Sequence, residues 1–246
     1  MSSTTPTPPP SSLTERRKAE TRMEIARVAA GLFVRHGLRA TRAEDIAQAA
    51  GIAPRTFYRY FATKEEAVAP LYATGAQRWV EAVRAAPPDG GVLRALEEGV
   101  HHTLTPGVGV SVSSWEWVRT LLRLAEATPS LGRVWAEVCQ ASERRLGEVL
   151  AERVTRAGSS GGGGVSETGG ASGAGGGSGA GDNVAVAREA PVVTPDLRFA
   201  AAVAGAAVRA ALEAWAAGDG PVEGPDGPVE LALRNLAALR DFPWGQ

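Results

Sequence analysis

Eight residues from Pro54, PRTFYRYF, set the guanidinium groups of Arg55 and Arg59, the phenols of Tyr58 and Tyr60 and the Thr56 hydroxyl along about two helical turns. All of these are hydrogen-bond donors. A guanidinium can grip the O6 and N7 edge of guanine or two phosphate oxygens, and a threonine can meet a thymine methyl or a phosphate. Phe57 and Phe61 stand four residues apart, so they share one helix face and pack inward, turning Arg55, Thr56, Tyr58 and Arg59 outward. Lys64, in the first turn of the next helix, adds an ammonium to free backbone N–H groups and the positive end of the helix dipole, an arrangement that favours phosphate. Thr41 and Arg42 open the preceding helix in the same way. The partner this chemistry suits is double-stranded DNA, held by its phosphates and read at its base edges.

The flanking sequence supplies elements to hold these groups. A helix runs from an N-cap at Thr14 to His36, with Ile25, Ala29, Leu32 and Phe33 on one face, and Gly37 stops it. Thr41-Arg42-Ala43-Glu44 reads as a capping box for a short helix closed by Gly51, and Pro54 suits the first turn of the helix after it. Helix, glycine turn and helix in this order form a helix-turn-helix head over residues 13–64, whose outward helix fits the major groove. Thr63-Lys64-Glu65-Glu66 is a second capping box, predicted to start a long helix at Lys64 that ends before Pro87-Pro88.

The stretch Leu38 to Val68 resembles the DNA-binding domain of the TetR family of repressors. The family pattern of Thr, Ile-Ala, Ala-Gly-Val-Ser, Leu-Tyr-x-His/Tyr-Phe and Ser/Thr-Lys-Glu is met here by Thr41, Ile46-Ala47, Ala50-Gly51-Ile52-Ala53, Phe57-Tyr58-Arg59-Tyr60-Phe61 and Thr63-Lys64-Glu65. The resemblance implies a homodimer, recognition by Arg55, Thr56, Tyr58, Tyr60 and Lys64, and repression released by a small-molecule effector. Ala53 departs from the pattern: Ser or Thr usually caps the recognition helix, and losing that bond costs typically about 1 kcal/mol.

An Ala-, Leu- and Arg-rich chain of 246 residues with few β-branched runs predicts an all-α fold. Residues 65–246 form a helical regulatory and dimerisation domain with helices at about 91–104, 114–127, 130–157, 196–217 and 228–241. Residues 1–12, rich in Pro, Ser and Thr, read as a disordered tail. Thirteen of the 24 residues from 158 to 181 are glycine, which predicts a flexible insertion. Residues 1–64 hold 11 Lys and Arg against 5 Asp and Glu, and residues 65–246 hold 15 against 22, so a head of +6 precedes a body of −7. A polyanion-binding head on an acidic body has this asymmetry.

In the body, Trp79, His101, Trp115, Arg119 and Trp135 are the candidate lining of a small-molecule pocket, aromatic walls with a few polar groups. The stripe of Leu197, Ala201, Gly205, Val208, Leu212 and Trp215, joined by Leu236, is the candidate dimer interface, its small residues permitting close helix approach. Dimerisation would set two heads roughly 34–36 Å apart and require a palindromic operator. The adjacent histidines lack the i, i+4 spacing of a metal pair, and no metal or cofactor is expected. The single cysteine, Cys139, reads as a buried, inert thiol. No run of roughly 20 apolar residues or signal-peptide pattern occurs, so no membrane partner and a cytoplasmic location are expected. Catalytic motifs are lacking; Gly175, Gly177 and Ala180 meet a G-x-G-x-x-A string only through glycine abundance. The reading is a DNA-binding transcription regulator and not an enzyme. Its alternatives are a protein of the same fold without ligand control, or an enzyme using the body pocket.

Overall fold

The computed structural model describes residues 13–108, 114–161, 192–242 and 244, and among them the secondary structure is helical with no strand. Residues 1–12 and 162–181, where the tail and most of the insertion were expected, lie outside the described residues. Among the described residues nine α-helices follow in order: α1 (Leu13–His36), α2 (Ala43–Ala49), α3 (Pro54–Tyr60), α4 (Ala69–Ala85), α5 (Gly91–Leu104), α6 (Trp115–Ala127), α7 (Pro129–Gly161), α8 (Pro195–Ala217) and α9 (Pro228–Ala237). The regular helix of α7 enters the glycine-rich segment as far as Gly161, past the expected boundary at 158.

Glycine sets both turns of the head. Gly37 (φ 81°) and Gly51 (φ 68°) take the left-handed conformation that ends a helix cheaply only without a Cβ. Their N–H groups close the preceding turns on the carbonyls of Phe33 at 2.9 Å and Gln48 at 3.1 Å. The capping box of α2 sits one residue later than expected: Arg42 is the N-cap, and the Asp45 carboxylate accepts its N–H at 2.8 Å. At the second box the Thr63 hydroxyl accepts the Glu66 N–H, and the Glu66 carboxylate reaches back to the Ala62 N–H at 3.0 Å. The helix expected from Lys64 is instead a 3-10 turn over Glu65–Val68 followed by α4. Pro70 is the cause: it has no N–H for the Glu66 carbonyl, and its ring would press on that carbonyl in a continuous α-helix.

Two cores hold the molecule together. The first joins Ile25, Phe33, Ile46, Phe57 and Phe61 of the head to Val68 of the 3-10 turn, Tyr72 of α4, Leu121 and Ala125 of α6, and Leu131 and Val134 of α7. The head is therefore packed onto the body rather than tethered to it. Where α1 crosses α6, a Cβ on Gly31 would lie 3.3 Å from the Trp117 ring, a close approach that glycine allows. The second core lies within the body and includes Trp79, Leu96, Trp115, Leu146, Leu150, Leu197, Ala204, Trp215 and Leu236.

This second core takes up much of the stripe expected at the dimer interface. Leu197, Ala201, Val208, Trp215 and Leu236 are buried inside the single chain, while the half-buried Gly205 and Leu212 line a cavity in the body. The Trp215 ring meets Trp115 edge-on at 5.3 Å. An apolar stripe records that a face is buried but not against which helix, and here α6, α7 and α9 of the same chain cover it. Among the described residues α8 is also the one helix long and apolar enough to cross a bilayer, a property it shares with core helices of this kind.

Candidate nucleic-acid interface and body cavity

Recognition chemistry begins with α3, a seven-residue helix whose first turn contains Pro54 and whose single buried residue is Phe57. With Phe57 and Phe61 inside, Arg55, Tyr58 and Arg59 stand exposed and Thr56 and Tyr60 half-exposed, so the predicted reading face is presented to the outside. Ala53 occupies the N-cap with the extended backbone of a capping residue (φ −69°, ψ 146°) and makes no side-chain cap bond. Such a short helix cannot hold its position by itself. Arg22 of α1 anchors its far end: one guanidinium nitrogen donates to the Tyr60 carbonyl at 2.5 Å, and the group lies 4.4 Å above the Phe61 ring. A cation at a helix C-terminus meets its unpaired carbonyls and the negative end of its dipole. No local pattern marks Arg22, because its partners lie 38 and 39 residues away in the sequence.

Two expected phosphate ligands face inward. The Lys64 ammonium donates to the Leu38 carbonyl at 2.6 Å and the Thr41 carbonyl at 2.7 Å, so it braces the loop between α1 and α2. The Thr41 side chain is buried, 2% exposed, and its hydroxyl donates to the Gly37 carbonyl at 2.9 Å. Arg42 remains exposed, 3.5 Å from Glu44. Both inward residues tie the α1–α2 loop, and it is long-range geometry that turns a helix-terminal lysine into a brace.

In the body, a cavity of about 170 Å³ lies among α4, α5, α6, α7 and α8. Trp79, Trp115 and Trp135 line it as expected, with Tyr72, Thr103, Cys139, Ser142 and Arg209. His101 does not: it is exposed on α5, and Thr103 and Leu104 are the residues of that helix that face the cavity. Arg119 does not either. It stacks 4.1 Å from the Trp215 ring and donates to the Gly220 carbonyl, tying α6 to the loop after α8. Nearby Arg123 donates to the carbonyls of Ala216 at 2.5 Å and Gly218 at 2.8 Å, so two arginines hold the end of α8. The Trp135 indole is fixed by a 2.7 Å bond to Glu213.

Burial disfavours ionisation of two groups in the cavity wall, Cys139 and Tyr72. It pushes the Cys139 thiol up to about 12, and it raises the Tyr72 phenol, whose hydroxyl donates to the Leu121 carbonyl at 3.0 Å. Cys139 is half-buried rather than fully enclosed. Thr103, Ser142, Trp79 and Trp115 each carry a buried polar atom without a hydrogen-bond partner among the described residues. Tyr72 and Leu121 belong at once to the cavity wall and to the core that holds the head.

Comparison with known proteins places these features in a family. Residues 25–69 match the family model for bacterial regulatory proteins of the tetR family. The transcriptional regulator TcmR of Streptomyces glaucescens is 31% identical over 159 residues, covering 61% of this chain and 68% of TcmR. The transcriptional repressor KstR2 of Rhodococcus jostii is 47% identical over 62 residues, 25% of this chain and 30% of that protein. In fold, the chain is similar to Salmonella enterica GusR, with a TM-score of 0.50 and 18% identity over 90% of this chain and 94% of GusR. From the extent of its likeness to TcmR and the match of its head to the family model, the chain belongs to the TetR family of DNA-binding transcriptional regulators.

Proposed function

We propose that this chain is a homodimeric repressor that reads a palindromic operator with α3 and releases it when a small molecule enters the body cavity. The observation that carries the reading is the sharing of Tyr72 and Leu121 between cavity wall and head core. An occupant that displaces either residue must also shift the packing beneath the head. In the operator complex Arg55, Thr56 and Tyr58 contact base edges and phosphates, Arg59, Tyr60 and Arg42 contact phosphates, and Lys64 and Thr41 hold the α1–α2 loop. For release to matter, the effector must prefer the DNA-incompetent arrangement by about 1–3 kcal/mol or more.

Selection of bound duplexes from a random pool tests the reading, with wild type compared with Tyr58→Ala. An enriched palindrome with half-sites about one helical turn apart, weakened in the variant, is expected. No enrichment, or enrichment of a single half-site by a monomer, refutes it. With the operator in hand, a compound that releases it must also change the fluorescence of Trp79, Trp115 or Trp135; release with unchanged tryptophan emission refutes the cavity assignment.

A further inference from the structure

A second basic surface adjoins the reading helix. Thr14, Arg17, Lys18 and Thr21 of α1 follow the i, i+3, i+4, i+7 pattern of a single helix stripe, and with Arg59 and Tyr60 of α3 they line an open groove. Arg17, Lys18 and Arg59 are exposed cations on this one groove, and none of them forms an ion pair among the described residues. Gathering like charges without carboxylates is unfavourable for the free protein and becomes favourable against a polyanion. The walls are held in register, because Arg22 of α1 bonds the Tyr60 carbonyl and covers the Phe61 ring. Arg59 belongs both to the outward face of α3 and to the groove, so the groove continues the reading surface without a break.

We infer that this groove is a phosphate-binding strip for the same DNA duplex, in which Arg17 and Lys18 grip backbone phosphates flanking the base pairs that α3 reads. The strip carries affinity without sequence information, since phosphate contacts position a protein and base contacts specify. Its span is fixed by α1: from Thr14 to Thr21 the stripe covers two turns, about 10 Å at 1.5 Å per residue, or about three phosphate steps along one strand at about 3.4 Å of duplex axis each. The inference rests on the DNA-binding reading above and deepens it by adding residues of α1 to those of α2 and α3.

The test is the salt dependence of DNA binding by the full-length protein, measured by fluorescence anisotropy on the selected operator and on a scrambled duplex of equal length. Wild type is compared with Arg17→Ala/Lys18→Ala and with a charge-matched control in the body, Arg94→Ala/Arg144→Ala. Each lost phosphate contact lowers the slope of log affinity against log salt by about 0.9, so two contacts in each protomer of a dimer lower it by about 3.6. Between about 50 and about 200 mM salt the wild type then loses about 150-fold more affinity than the head variant. The loss should be equal on operator and scrambled duplex, leaving their ratio unchanged. A slope in the head variant equal to wild type or to the body control overturns the inference, as does a loss confined to the operator. Failure of wild type to bind either duplex at about 50 mM salt would overturn the DNA-binding reading along with it.

Discussion

Replacing Lys64 with methionine separates a brace from a phosphate ligand. Methionine keeps the length and apolar stem of lysine and deletes the ammonium that donates to the Leu38 and Thr41 carbonyls at 2.6 and 2.7 Å. A hydrogen bond to a charged group contributes about 1.5–3 kcal/mol when well shielded. Lys64 is only half-buried and the freed carbonyls can turn to water, so the two bonds together are worth about 2 kcal/mol. For a chain of this size each kcal/mol moves Tm by about 2–4 °C, giving an expected fall of about 4–8 °C by thermal denaturation. Because the braced loop leads directly into α2, DNA affinity should also fall, by about tenfold or more, as 1.4 kcal/mol of lost positioning would produce. The salt slope is the decisive reading. A brace leaves it unchanged, whereas a phosphate ligand lowers it by about 0.9 per protomer. An unchanged Tm with a lowered slope would refute the brace and restore Lys64 to the phosphate contacts.

Ala53→Ser places a hydroxyl at an exposed N-cap whose backbone already has the capping conformation, so the variant should gain about 1 kcal/mol and about 2–4 °C in Tm. Two glycines should respond oppositely to alanine. Gly75, in α4 with nothing within 4 Å of an added Cβ, should gain about 0.5–1 kcal/mol of helix propensity, while Gly99, whose Cβ would sit 2.7 Å from Val83 Cγ2 and 3.2 Å from the Trp79 ring, should lose about 1–3 kcal/mol, both read from urea denaturation midpoints. Burial holds the Cys139 thiol protonated to about pH 12, so alkylation by iodoacetamide at pH 8 should be at least a hundredfold slower than in the urea-unfolded chain and should rise without a plateau to pH 10. The sign for stability follows: the unfolded thiol ionises first, so this group lowers stability as pH rises above about 8.5.

Helix positions in this chain are largely a local matter, and they were legible for that reason. The apolar periodicities of α5 to α9 and the glycine stops at Gly37 and Gly51 depend on neighbours within one or two turns, and the observed spans agree with those expectations to within a few residues. The outward face of α3 was legible too, since Phe57 and Phe61 four residues apart fix which side is buried. Pro70 is equally local, and it divides the expected helix after Lys64 into a 3-10 turn and α4.

Contacts between distant residues were not legible in the same way, because hydrophobic pattern and residue type give a face or a charge but no partner. The stripe from Leu197 to Trp215 has the same periodicity whether it meets a second chain or α6 and α7 of its own, and it is tertiary packing that buries Leu197, Ala201, Val208 and Trp215 within the chain. His101 and Arg119 had the chemistry of a pocket, yet helix rotation exposes the first and the Trp215 ring and Gly220 carbonyl engage the second. Lys64 and Arg22 show the matter most sharply. One resembles a phosphate ligand and the other a surface charge, and both become braces because tertiary packing brings carbonyls from 23 to 38 residues away within 2.7 Å. The sequence by itself determined helices, turns and the polarity of each face. Only the assembled structure decided which groups meet, since a hydrogen bond needs its donor and acceptor brought to within a few tenths of an ångström.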